Sequence, residues 1–129
     1  MSKIYAGSTP IFTAKIVNEL GIQLDPSDAN SVSEVKIFIY DSTTGVTIGK
    51  FYLNTLPSGT GWTKLPTPKT ISAGDVRVLL PLTEAQTRAA EGNSNMIQMN
   101  VHIVDTDAPE GRRIEIHKCK FLEILPAQS

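Results

Sequence analysis

Hydrophobic and polar residues alternate along much of this chain with a period of two, the pattern of half-buried strands whose successive side chains point to opposite faces. From Ile11 to Val17, Phe12, Ala14 and Ile16 fall on one face and Thr13 and Lys15 on the other. Pro10 just before them suits a strand start, where a missing amide donor costs little. In VKIFIY, Val35, Ile37 and Ile39 share one face and Phe38 and Tyr40 the other, which predicts a central strand. The turn chemistry of DSTTG then leads to a hairpin partner over Val46 to Leu53, around Ile48, Phe51 and Tyr52. Further on, Val76, Val78 and Leu80 alternate with Arg77 and Leu79. Ile97, Met99, Val101 and Ile103 alternate with Gln98, Asn100 and His102. From Arg113 to Leu125 the phase slips, as Ile114 and Ile116 give way to Cys119 and Phe121 and then to Leu122 and Ile124. A bulge near Lys118 to Lys120 accounts for the slip.

Three stretches depart from the alternation. LGIQLDPSDANSVSE reads as a loop, with a turn at Asp25 and Pro26. Asn54 to Thr70 carries three prolines and two glycines and reads as an irregular excursion, expected to be dispensable for folding. TEAQTRAAE is the one helical segment, with Thr83 as cap, Gln86 three residues on and Gly92 as stop. A piece of this length bridges two sheets. These elements predict an all-β fold, an immunoglobulin-like antiparallel β-sandwich of about six or seven strands with one short helix. The sandwich occupies 9–125, with an N-terminal arm at 1–8 and a C-terminal tail at 126–129. Its core is expected from Phe12, Ile16, Val35, Ile37, Ile39, Val76, Val78, Ile97, Met99, Val101, Ile103 and Phe121.

Composition narrows the function classes. At 129 residues the chain suits one domain with a single core. Its 12 basic and 13 acidic residues nearly cancel and are scattered, which argues against nucleic acid as a partner. No apolar run reaches membrane-spanning length and MSKIYAGSTP lacks a secretory core, so synthesis in a cytoplasm is expected. The single cysteine, Cys119, allows no internal disulfide.

The candidate chemistry is sparse. His102, His117, Cys119 and Asp105 match no zinc or Cys–His nucleophile spacing. Asp105, Asp107 and Glu110 lack the oxygen periodicity of a calcium loop, and no serine sits in a nucleophile elbow. The expectation is a binding protein, with no catalytic residue, no metal and no cofactor. Trp62, the one tryptophan, lies in the excursion beside Leu56 and Leu65. These three residues and Tyr5 are the interface candidates, since tryptophan is enriched at binding hot spots; a lid over one end of the sandwich is the other reading of Trp62.

Three stretches, AGSTPIFTAKIVNELGIQLDPSDANSVSEVKIFIYD, GDVRVLLPLTEAQTRAAEGNSNMIQMNVHIVD and RRIEIHKCKFLEI, together resemble the N-terminal domain of the phage baseplate upper protein family. The resemblance leaves out the excursion, which looks like an insertion. It implies an immunoglobulin-like virion domain: a structural protein of a tailed-phage particle, in the baseplate or tail or as a capsid decoration, made in the host cytoplasm. Its partners would be other virion proteins, with a homo-oligomer possible and neither nucleic acid nor membrane bound. The runner-up is a carbohydrate-binding module using Trp62, Tyr52, Tyr5 and Tyr40.

Overall fold

The computed structural model describes residues 2–18, 20–70 and 75–126, leaving aside the side chains of 2, 69, 70, 75 and 118–121. Along the chain run β1 (Ser2–Tyr5), β2 (Ile11–Lys15), β3 (Val32–Asp41), β4 (Thr47–Leu53), β5 (Trp62–Lys64), β6 (Lys69–Thr70) and β7 (Asp75–Leu79). The helix α1 (Glu84–Ala89), β8 (Asn95–Val104) and β9 (Arg112–Leu125) complete it. The larger sheet has the order β1-β9-β8-β3-β4-β5 and the smaller one β2-β7-β6. In chain order, β2, β7 and β6 hold the places of strands B, E and D of an immunoglobulin sandwich, and β9, β8, β3 and β4 those of G, F, C and C′.

The two sheets close over one core. Phe12, Ala14, Ile16, Val76, Val78 and Leu80 come from the smaller sheet and its extensions. Val35, Ile37, Ile39, Phe51, Ile97, Met99, Val101, Ile103, Leu122 and Ile124 come from the larger. Every core residue expected from the alternation is buried except Phe121, whose side chain lies outside the described residues. Immunoglobulin domains of antibodies staple this core with a B–F disulfide beside a strand-C tryptophan. Here β2, β3 and β8 fill those strands with Phe12, Ile37, Met99 and Val101. Packed side chains stand in place of that staple.

The helix carries the chain from the smaller sheet to the larger. Thr83 accepts a hydrogen bond from the Gln86 amide, and the Gln86 side chain accepts one from the Thr83 amide, the reciprocal cap its sequence predicts. Gln86 Nε2 also donates to the Ile48 carbonyl at 3.1 Å, and Thr87 Oγ1 accepts from the Gly7 amide at 2.7 Å. The helix is thereby tied to β4 and to the turn that follows β1.

Two expectations need correction at the rims. Of the segment 1–8 expected as an arm, the described residues do not lie outside the sandwich: Ser2–Tyr5 pair in parallel with β9, Ser2 opposite Leu122 and Tyr5 opposite Leu125. The last turn of β9 offers an open edge there, and Ala6 is buried where the chain crosses to the smaller sheet. Nor is the excursion wholly irregular. It returns as β5, parallel to β4, and inserts Leu65 into the core, while Pro57 and Pro68 are also buried. Of the tail 126–129 only Pro126 is among the described residues.

The expected bulge is present. Ile97 stands opposite Lys120 and Gln98 opposite Lys118, so Cys119 is the extra residue of β9. Before the bulge Arg113, Glu115 and His117 share the face of Ile103, Val101 and Met99, and Ile114 and Ile116 point the other way. After it Leu122 and Ile124 enter the core.

Candidate functional site

The smaller sheet covers one face of the larger, and among the described residues no second sheet covers the opposite face, the open face of the molecule. Residues paired across neighbouring strands share a face, so the ladders define its rows. One row runs Trp62, Lys50, Phe38, Gln98. The next runs Lys64, Tyr52, Lys36, Asn100, Ile116. Tyr40 with Met96, and Glu34 with His102 and Ile114, form the rows on either side. Aromatic rings thus interleave with three lysines on one surface.

Trp62 is held at the β5 end of this face. Its ring meets Phe38 edge-on with centroids 5.4 Å apart, and Lys50 Nζ lies 5.1 Å from its centroid. Lys50 is fixed there because its ammonium donates to the Thr60 carbonyl at 2.6 Å, and the indole N–H donates to the Ser58 carbonyl at 3.2 Å. The tryptophan is therefore half-buried on the open face, not a lid over one end of the sandwich.

The other interface candidates separate. Leu65 is 3% exposed and belongs to the core, a correction that follows from β5 turning its chain inward. Leu56 and Tyr5 are exposed, but Tyr5 sits on β1, at the opposite edge of the sheet from Trp62. Phe38, Lys36 and Lys64 complete the surface and were not among the candidates. For Phe38 and Lys36 the signal is legible in VKIFIY, as it is for Tyr52 in KFYL, where the face opposite the core carries rings instead of the small polar residues of an ordinary solvated strand.

At one corner of the face, His102 is 7% exposed, with Nδ1 3.3 Å from a Glu34 carboxylate oxygen and 3.3 Å from Arg112 Nη1. A neutral Nδ1 either donates to Glu34 or accepts from Arg112, but not both. Burial holds the imidazole below its ordinary value of 6.5; Glu34 opposes the shift, and Arg112 and Lys36 add to it. Below pH 6.5 the unfolded chain takes up a proton that the folded chain refuses. The contribution to stability is whole above that pH and is lost as pH falls towards the folded value. Urea midpoints measured between about pH 7.5 and pH 5 should fall on the acid side, and His102→Gln should flatten that slope. An unchanged slope in the variant would remove His102 as its source.

Of the remaining titratable groups, His117 and Asp105 lie apart from this corner. His117 lies on the opposite face of the sheet from His102, with Nε2 3.6 Å from Glu115. The side chain of Cys119 lies outside the described residues. In the 105–111 loop, Asp105 accepts from the Asp107 amide at 3.0 Å and lies 3.9 Å from Arg113, while Glu110 lies 3.5 Å from Arg112. These carboxylates face arginines and their own backbone. Among the described residues no three His, Cys, Asp or Glu side chains gather as a metal-ligand set, and no helix is long and apolar enough to cross a membrane. A concavity of about 610 Å³ is an open groove between 91–95 and 122–126, lined by Leu122 and Ile124 among others.

No family model and no curated protein matches the chain. What the chain does has to be argued from its surface.

Proposed function

We propose that this chain is a structural protein of a tailed-phage particle, a baseplate or tail adaptor or a capsid decoration module that acts by docking onto other virion proteins. The observation that carries the docking role is the open face of the six-stranded sheet, where Phe38, Tyr40, Tyr52 and Trp62 stand among Lys36, Lys50 and Lys64. Rigid aromatic area is enriched at protein interfaces, and strands hold it at low entropic cost. The resemblance to the phage baseplate upper protein family supplies the setting, and the immunoglobulin-like sandwich agrees with it.

The carbohydrate reading draws on the same face, since Tyr40, Tyr52 and Trp62 share it. Sugar rings stack on open aromatic faces, however, and the Lys50 ammonium over the Trp62 ring occupies one of them. Protein docking is the better fit.

Tailed particles banded in a density gradient from cells that carry the gene should contain the chain. Tyr52→Ala combined with Lys64→Glu should leave the melting temperature within a few degrees and remove the chain from the band. Particles that lack the wild-type chain would overturn the proposal, and specific retention on a glycan array would favour the alternative.

A further inference from the structure

We propose that the chain pairs with a second copy of itself along the free edge of β9, in an antiparallel register centred on Ile114, to give one sheet continuous across the dimer. On one side β9 is paired with β8 from Arg112 to Leu122. On the other side β1 covers only Leu122 to Leu125. Among the described residues no strand takes up the outer edge of Arg112 to His117. Ile114 and Ile116, 49% and 57% exposed, stand on this edge. An unpaired edge with exposed β-branched residues is a template for another strand.

The charges on the edge choose the occupant. Edge strands are commonly guarded by inward-pointing charges, and Arg113 and Glu115 are such residues, with Arg113 Nη1 2.6 Å from Glu115. A guarding row rejects strands that place like charge opposite like and accepts one that is complementary. The sequence Arg-Ile-Glu-Ile, read against itself in the antiparallel sense, is complementary in one arrangement.

Residues opposite one another must share a face, so the two-fold axis passes through a residue, and three positions bring the exposed isoleucines together. Centred on Glu115, the register sets Glu115 against the second copy's Glu115, two carboxylates directly opposed. Centred on Ile116, it runs into the bulge at Cys119 and brings the second copy's 105–111 loop against β1, which begins opposite Leu122. Centred on Ile114, it sets Arg113 against the second copy's Glu115 on both sides of the axis, Ile114 against Ile114 and Ile116 against Arg112. This ladder runs from Gly111 to His117. It stops before the bulge and leaves the stretch from His117 to Leu122, roughly 16 Å of strand, between the second copy's loop and β1.

The test needs only the purified chain, so its outcome is separate from that of particle docking. Sedimentation equilibrium at concentrations on the order of 100 μM, suited to an interface at the small end of the range, should show a dimer. Arg113→Glu alone and Glu115→Arg alone should each weaken it by about tenfold or more, and the double swap, which restores every opposed pair, should recover it. With Cys119 replaced by serine, Ile114→Cys should form an intermolecular disulfide under mild oxidation and Ile116→Cys should not, because only the residue on the axis meets its own copy. A wild-type chain that stays monomeric throughout, a double swap that fails to recover a well-folded dimer, or cross-linking at Ile116 in place of Ile114 would each overturn the proposal.

Discussion

Phe51→Ala is expected to lower the unfolding free energy by about 4 kcal/mol, at the upper end of large-to-small core substitutions. The ring is 1% exposed, opposite Ile37 on β3 and Thr63 on β5, so little can move in to fill the space. Gly49 two residues earlier shares its face. A Cβ there would lie 2.8 Å from Leu82 Cδ2 and 3.1 and 3.2 Å from two carbons of the Phe51 ring. Gly49→Ala should therefore cost about 2 kcal/mol through overpacking. In the double variant the new methyl enters the space the ring has left, and the combined loss should fall short of the sum by about 1 kcal/mol. Urea unfolding of the four proteins checks this; losses that add within experimental error would show that the two positions do not share that space.

Leu65→Ala should cost about 3 kcal/mol, whereas Leu56→Ala should change stability by about 0.5 kcal/mol or less. Both residues lie in the proline- and glycine-rich stretch, but Leu65 is 3% exposed and Leu56 63%. The backbone reinforces the difference, because the Leu65 amide donates to the Tyr52 carbonyl at 2.9 Å. The burial of Leu65 argues against the expectation that the whole of 54–70 can be dispensed with in folding. Chemical denaturation of the two single variants decides it, and equal losses would restore the view of a passive insertion.

What the sequence reveals of this fold follows from where alternation is enforced. In β2, β3, β7 and β8 one face is buried along its length, so Phe12, Ile37, Val78 and Met99 all stand in the phase their neighbours imply. The bulge at Cys119 is legible for the same reason, since a slip in phase on a half-buried strand has few other causes. β1 and β5 are not legible. With four and three residues they have too few positions to show a period, and each owes its strand geometry to an edge already built by distant residues. In the first half of β9 the alternation is present but its sense is reversed. Arg113 and Glu115 lie on the core side and Ile114 and Ile116 face outward, a placement that hydropathy alone assigns the other way round. The open face was half legible: the rings of Phe38, Tyr40 and Tyr52 are plain in the sequence, but only the ladders bring Trp62 and Lys64 alongside them.

The parallel pairing of β1 with β9 has a mechanical consequence. The chain enters β1 at Ser2, level with Leu122, and leaves β9 beyond Leu125, level with Tyr5. A load applied through these two points pulls the strands along their length in opposite directions. The bonds of the ladder, together with that from the Ala6 amide to the Leu125 carbonyl at 2.9 Å, then bear the force at once instead of opening one after another. Tension thus meets a shear clamp at the place where the chain enters and leaves the sheet.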